Sequence, residues 1–227
     1  VLRVRDLSKS FGDLRALRRI SFDIEEPGIY LFIGPNGSGK STLLKIIAGV
    51  LAPDEGEVSI LRREKTFIGY MPQEDSVYQD LTVMQNIRFF SALNPHDGKR
   101  IAEELLSGLK LDEKRDVLAS ELSGGMRRAL SLACTVAASP DIFILDEPTT
   151  GFDYALMEQF WNLLNAAKKN GRVVLISSHS PSTLQHADMT FVLKEGRIVG
   201  WISGEEGRRI KSIEEAVERV AKGEGMA

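Results

Sequence analysis

The 227 residues are 43% hydrophobic and 27% charged, enough for the packed core of one α/β domain or of a domain with a subdomain, and the formal net charge of -3 argues against a surface given over to nucleic acid. A single cysteine, Cys134, excludes an internal disulfide framework and a cysteine-based zinc site, and fits a reducing compartment. No run approaches the roughly 18 apolar residues that cross a bilayer, and Val1-Leu2-Arg3-Val4-Arg5 is too charged for a signal peptide, so the chain is expected to be soluble and cytoplasmic.

From the N-terminus, the alternation of Leu2, Val4 and Leu7, then of Ile20, Phe22 and Ile24, predicts half-buried antiparallel strands. Ser10-Phe11-Gly12-Asp13 reads as a turn between them, with Phe11 either an adenine-stacking ring or a plug in the core. Ile29-Tyr30-Leu31-Phe32-Ile33 has the content of a buried strand, and Leu43, Leu44, Ile46, Ile47 and Val50 pattern as a core helix. Between them lies Gly34-Pro35-Asn36-Gly37-Ser38-Gly39-Lys40-Ser41-Thr42, a match to the G-x-x-x-x-G-K-[ST] phosphate loop. Phosphate oxygens need many donors in a small volume, which bare backbone amides at a helix start supply and side chains would crowd. Lys40 is expected to reach the β- and γ-phosphates and Ser41 to bind Mg²⁺, so the ligand is a nucleoside triphosphate.

Pro53-Asp54-Glu55-Gly56 reads as a type I-like turn before Glu57-Val58-Ser59-Ile60-Leu61, and Thr66 to Met71 gives a further strand; the turn chemistry supports a strand pair. Pro72-Gln73 follows, and the Gln73 amide is a candidate sensor of metal or water. From Thr82 to about Leu109 the period turns helical, with Val83, Ile87, Phe90, Ile101, Leu105, Leu106 and Leu109 as apolar faces and a break at Asn94-Pro95-His96-Asp97-Gly98, where His96 reads as ordinary.

Ser123-Gly124-Gly125 opens a helical stretch through Ala138. Two glycines in a first helical turn each cost about 0.5–1 kcal/mol relative to alanine. Either the serine is an N-cap with incidental glycines behind it, or the turn is a second anion cradle for a nucleotide presented by another subunit. The apolar strand Ile142-Phe143-Ile144-Leu145 then ends in Asp146-Glu147. A carboxylate at the end of an apolar strand needs a cation or strong donors, and Mg²⁺ held between Asp146 and Ser41 supplies one; Glu147 is then suited to deprotonate the attacking water. The alternative for the pair is an N-cap cluster before the next helix, which runs from about Tyr154 to Asn170 and is capped by Gly171. Arg172 to Ser177 is another buried strand, after which His179 either meets the γ-phosphate or the water or is a satisfied structural histidine. A short helix after Pro181, with an ordinary His186, leads to strands from Met189 to Lys194 and from Arg197 to Ile202 about a Glu195-Gly196 turn, then to an amphipathic helix from Ile213 to Lys222. Strands alternating with helices predict an α/β fold with a mainly parallel sheet and a ligand crevice at the carboxyl ends of its strands.

Phe11, the loop from Gly34 to Thr42, Gln73, Leu122-Ser123-Gly124-Gly125-Met126, the strand-end Asp146-Glu147, Asp153 and His179 occur in the order of an ABC-type ATPase, and over essentially its whole length the chain resembles the nucleotide-binding subunit of an ABC transporter. The resemblance implies a P-loop NTPase core with an antiparallel β-subdomain over residues 1–72 and 139–227, and an inserted helical subdomain over 73–138. It implies ATP and Mg²⁺ as cofactors. Phe11 becomes the adenine-stacking ring, Lys40, Ser41 and Thr42 phosphate and metal contacts, Gln73 the γ-phosphate and metal sensor, Glu147 the catalytic base and His179 the switch histidine. It also implies a second ATPase subunit, identical or related, closing head to tail so that Ser123 to Gly125 complete the partner's site with Asp153 at the seam, and an integral membrane subunit whose helix docks near Val77, Tyr78 and Leu81 on the inner face of the membrane.

The sequence departs from the family pattern at Met126 in place of glutamine, Phe11 in place of tyrosine, and Gly151-Phe152-Asp153 in place of small-Leu-Asp. With Glu147 and His179 intact, hydrolysis is expected to survive these changes. The short extent after the tail helix resembles ABC-2-type exporters; the alternative is a soluble single-cassette ATPase acting as an assembly scaffold. The absence of an Asn-Lys-x-Asp segment argues against a switch GTPase.

Overall fold

Gly28–Ile33 (β3), buried at every residue, lies inside the larger of two sheets in the computed structural model, which describes residues 2–60, 66–93 and 106–223. In chain order the other strands are Leu2–Phe11 (β1), Leu14–Ile24 (β2), Glu55–Ile60 (β4), Ile68–Met71 (β5), Ile142–Asp146 (β6), Val173–Ser178 (β7), Met189–Lys194 (β8) and Arg197–Ser203 (β9). Among the described residues the helices include Lys40–Ile47 (α1), Val83–Ser91 (α2), Gly124–Ala137 (α3), Tyr154–Lys169 (α4) and Ile213–Ala221 (α5), with a single helical turn at Gly204–Gly207.

The larger sheet runs β5-β6-β7-β3-β8-β9, parallel except for β9, and the smaller is the antiparallel β2-β1-β4. This is the α/β P-loop architecture that the sequence predicts. Because a strand's side chains alternate between faces, β3 sends Ile29, Leu31 and Ile33 into a core shared with α2, α3, α4 and α5, and Tyr30 and Phe32 into a core shared with α1 and the antiparallel sheet. The neighbours β6 and β7 divide in the same way, Phe143, Leu145, Val174 and Ile176 on the first side and Ile142, Ile144, Val173 and Leu175 on the second. Strands buried on both faces read as unbroken apolar runs, as these do.

Registers bring three strand ends to one level. Phe32 pairs with Ser177 and Ser177 with Asp146, so the chain leaves β3, β6 and β7 at one edge of the sheet. Gly34 to Thr42, Glu147 and His179 all follow from that edge.

The structure corrects several expectations. The strands after Gly56 and after Thr66 are not partners: β4 pairs with β1 in the small sheet, and β5 pairs in parallel with β6 in the large one. Instead of closing a turn, Asp54 ties its corner to β1, its carboxylate accepting from Ser10 N–H at 2.7 Å and Lys9 Nζ at 2.6 Å while its own N–H donates to Ser8 O at 2.9 Å. These contacts hold the Asp54 carboxyl below the usual carboxylate range, Lys9 contributing most. β1 continues through Phe11, leaving only Gly12-Asp13 as the turn. The short helix after Pro181 is a 3-10 helix, Pro181–His186, and His186 stacks on Trp161 with ring centroids 4.1 Å apart. In the helical region between β5 and β6, Thr82 and Gln85 form a capping box for α2, and Leu106 and Leu109 are buried; the break at residues 94–98, with His96, as well as Ile101, Leu105, Leu61 and Val1, lie outside the described residues.

Phe32 is fully buried, its ring 5.2 Å from that of Phe191 and 5.6 Å from that of Phe22, where sheet and antiparallel layer meet. Phe32→Ala is expected to lower the unfolding free energy by about 3–5 kcal/mol, read from urea denaturation; a loss below about 1 kcal/mol would contradict this packing.

Candidate functional site

The phosphate-loop backbone is possible only with glycine at its ends. Gly34 has φ +151 and an added Cβ would lie 2.1 Å from Leu193 O; Gly39 has φ +104 and would meet Ala16 O at 2.6 Å. The loop therefore lies flat against β2 and β8 and keeps its curvature. Ser38 N–H donates to Pro35 O at 3.1 Å, and Gly196 N–H donates to Ser38 O at 3.1 Å. Gly39 is the N-cap of α1 and offers no side-chain acceptor, so the first amides of that helix remain for an anion.

Lys40 is 7% exposed and donates to Gly34 O at 2.8 Å and Pro35 O at 3.2 Å. Burial pushes its ammonium pKa down, and Glu147 and Asp146 oppose that shift. A cleft of about 390 Å³ opens over the loop, lined by residues 36–42 together with Phe11, Leu14, Ala16, Gln73 and Glu147. Phe11 is 49% exposed on its rim, which excludes the core-plug reading, and Lys9 Nζ sits 5.7 Å from its ring centroid.

Asp146 is fully buried at the end of β6. Its Oδ1 accepts from Ser41 Oγ at 3.0 Å and from Ser177 Oγ at 2.5 Å, while Oδ2 has no hydrogen-bond partner. An ionised carboxylate with an uncompensated buried oxygen is costly, and a cation beside it removes the cost. Among the described residues no three His, Cys, Asp or Glu side chains cluster as a metal site. The donors at hand are the oxygens of Ser41 and Asp146, with the Gln73 amide on the cleft wall. That hard, sparse set fits Mg²⁺, which keeps waters and phosphate oxygens as its remaining ligands, and does not fit zinc.

Glu147 carries φ +48, unusual for a residue with a side chain, and its N–H donates to Ser177 Oγ at 2.9 Å. Its carboxylate Oε2 lies 2.8 Å from His179 Nδ1. With a neutral imidazole, Nδ1–H donates to the carboxylate and Nε2 is left as an acceptor. The geometry thus couples His179 to Glu147, a contact absent from the sequence reading.

Ser123, Gly124 and Gly125 do not line this chain's cleft. Ser123 is the N-cap of α3, its Oγ accepting from Met126 N–H at 3.3 Å, and it is exposed with Gly124. What approaches Gly125 is Gly151 of the same chain, whose carbonyl oxygen would stand 2.6 Å from an added Cβ. Met126 packs partly into the core, as does Phe152, and Asp153 caps α4 by accepting from Leu156 N–H at 2.7 Å.

Two residues of the site escape the sequence reading. Ser177 serves both Asp146 and Glu147; its signal is a serine next to the end of an apolar strand that pairs with the Asp-bearing one. Arg128, 3% exposed, donates to main-chain carbonyls of both the Gln73 and the Glu147 segments, and nothing in the pattern separates it from Arg127 next to it.

The family model described as ABC transporter matches residues 17–150. The Nod factor export ATP-binding protein I of Burkholderia orbicola strain AU 1054 is 34% identical over 205 residues, covering 85% of this chain and 67% of the relative. A solved ATP-binding subunit of an ABC transporter superposes with a TM-score of 0.86 at 25% identity, covering 97% of this chain and 99% of that one. The ADP conformation of the ATP-binding cassette MJ1267 superposes with a TM-score of 0.74 at 26% identity, over 96% and 98% of the two chains.

Removing the Ser177 hydroxyl deprives Asp146 Oδ1 and Glu147 N–H of a buried partner. Ser177→Ala is expected to cost about 1–3 kcal/mol of stability in chemical denaturation, whereas an unchanged midpoint would mean that neither group depends on the serine.

Proposed function

The chain belongs to the ABC transporter family and is an ATP-binding ATPase of that kind, and on that premise we propose that it is the motor subunit of a transporter, closing head to tail on a second copy or a related chain and driving a separate membrane subunit. The observation that carries the reading is the convergence, at one edge of the sheet, of a metal-suited Ser41–Asp146 pair and a Glu147–His179 pair beside the phosphate loop.

In this reading the amides of residues 36–42 and the Lys40 ammonium hold the triphosphate, and Phe11 stacks on the base. Ser41 and Asp146 would hold Mg²⁺, which would supply charge neutralisation at the phosphate oxygens. Glu147 takes the proton from the water that attacks the γ-phosphorus, and the products are ADP and inorganic phosphate. His179 keeps the Glu147 carboxylate turned toward that water. Gln73, at the boundary between core and helical subdomain, senses the γ-phosphate and its metal. We assign residues 1–72 and 139–227 to the core and 73–138 to the helical subdomain.

The exposed Ser123-Gly124 turn has its hydroxyl and amides available to a nucleotide held by the second subunit, which supports the head-to-tail arrangement. A surface near Gln73 fits an apolar helix of a membrane subunit: Tyr78 is 50% exposed and Phe89 48%, with ring centroids 4.9 Å apart, and Phe90 packs beside both. Buried Asn86 fixes this surface by donating to the carbonyls of Tyr78, Leu81 and Thr82 and accepting from Tyr78 N–H at 2.8 Å. Among the described residues no helix is long and apolar enough to cross a membrane, so the reading assigns the passage to another chain on whose inner face this one sits. The similarity to a protein named for Nod factor export supports an export direction, and the ABC-2 type is part of the same proposal.

Glu147→Gln is expected to bind ATP with near-normal affinity, hydrolyse it at least about a hundredfold more slowly, and accumulate as an ATP-dependent dimer in size-exclusion chromatography. Turnover close to that of the unaltered protein would remove Glu147 from the base role.

A further inference from the structure

Four main-chain carbonyls converge on one buried guanidinium. Arg128, in the second turn of α3, donates through Nη1 to Pro72 O at 2.6 Å and Glu74 O at 3.3 Å, and through Nη2 to Asp146 O at 2.6 Å and Glu147 O at 3.0 Å. The first two carbonyls flank Gln73. The other two belong to the strand-end carboxylate pair. A guanidinium keeps its charge at any physiological pH, and burying it is costly unless its donors are satisfied. Among the described residues Arg128 has no carboxylate within ion-pair distance, and its Nε has no partner. Its charge is balanced by carbonyl dipoles and by the more distant fields of Asp75, Asp146 and Glu147. An apolar side chain in this space would leave the four carbonyls without this donor, so what the guanidinium contributes is the joining of the two segments through its fork.

What it holds is strained. The Glu147 backbone, at φ +48, persists only where its surroundings over-determine it. Ser177 fixes its N–H and Arg128 its carbonyl. The same fork fixes both sides of Gln73, which otherwise stands on an exposed loop. Lysine, a point donor on a flexible stem, cannot span two segments in this way.

We propose that Arg128 is a positioning residue for ATP hydrolysis: it sets the Glu147 and Gln73 segments at a fixed separation, and it does so from the helix whose first turn carries Ser123 to Gly125. The inference rests on the reading of Glu147 as the base. Because α3 starts at the turn offered to the second subunit's nucleotide, a change in how that turn is engaged reaches this chain's own Glu147 through one side chain, Arg128, only five residues from Ser123.

The test compares Arg128→Met and Arg128→Lys with the unaltered chain, measuring ATP turnover, KM, equilibrium binding of a fluorescent ATP analogue and thermal midpoint. Arg128→Met is expected to lower kcat by at least about tenfold while affinity changes by less than about threefold. Arg128→Lys, which keeps the charge and not the fork, falls between the two. In single-turnover experiments, adding Arg128→Met to Glu147→Gln slows the reaction by clearly less than Arg128→Met does alone, since one of the two positioned groups is already gone. A kcat loss below about twofold, an equal fall in kcat and affinity, or independent multiplication of the two losses would overturn the proposal. If Arg128→Met does not fold, the Lys variant and its combination with Glu147→Gln carry the same comparison. Should Glu147→Gln itself turn over normally, the base reading fails; should it be slow while Arg128→Met is normal, only this inference fails.

Discussion

A carboxylate fully buried at the end of an apolar strand, with one oxygen held by two hydroxyls and the other without a donor, sets the terms for everything around it. Asp146 reaches that position because β6, β7 and β3 end in register, and the hydroxyls that meet it come from β7 and from the start of α1. Left alone, the open oxygen would cost on the order of 1–3 kcal/mol or more. The phosphate loop lies directly above it, so a cation bridging Asp146 and a triphosphate would relieve the charge on both. Sheet register, loop curvature and ligand chemistry are in this sense one arrangement.

Around that carboxylate the backbone is held by side chains that never reach the cleft. Ser177 stands beneath Asp146 and Glu147, Arg128 spans the gap to the Gln73 segment, and His179 braces the Glu147 carboxylate from outside. The exposed parts face elsewhere: the Ser123 turn toward a second subunit and the Tyr78–Phe89 surface toward a membrane partner, in the proposed reading. Both sit on the helical region between β5 and β6, and Arg128 on α3 links that region to the strand-end pair.

The phosphate loop, Asp146 and Glu147 were legible in the sequence because their chemistry is local: a glycine pattern and a carboxylate ending an apolar run. Strands such as Ile142 to Leu145 were legible for the same reason, being buried on both faces. Phe11 remained open between two roles because its neighbours come from the loop at 36–42, far along the chain. Partnership of strands failed at β4 and β5, where a Pro-Asp-Glu-Gly corner looks like a turn locally but is fixed by Lys9 and Ser10 from another strand. Arg128 and Asn86 were invisible because each is recognised only by the carbonyls it meets, and carbonyls carry no sequence signal. The contact between His179 and Glu147 depends on two strand ends coming level, which periodicity does not encode.

Mn²⁺, as a spectroscopic stand-in for Mg²⁺, probes whether Asp146 and Ser41 form the metal position of a nucleotide site. Electron paramagnetic resonance would follow Mn²⁺ binding to the chain with a non-hydrolysable ATP analogue, for the unaltered protein and for Asp146→Asn. Nucleotide-dependent Mn²⁺ binding is expected to weaken by at least about tenfold in the variant, a loss near 1.4 kcal/mol or more. Equal Mn²⁺ affinity in the two proteins, with the analogue still bound, would contradict it.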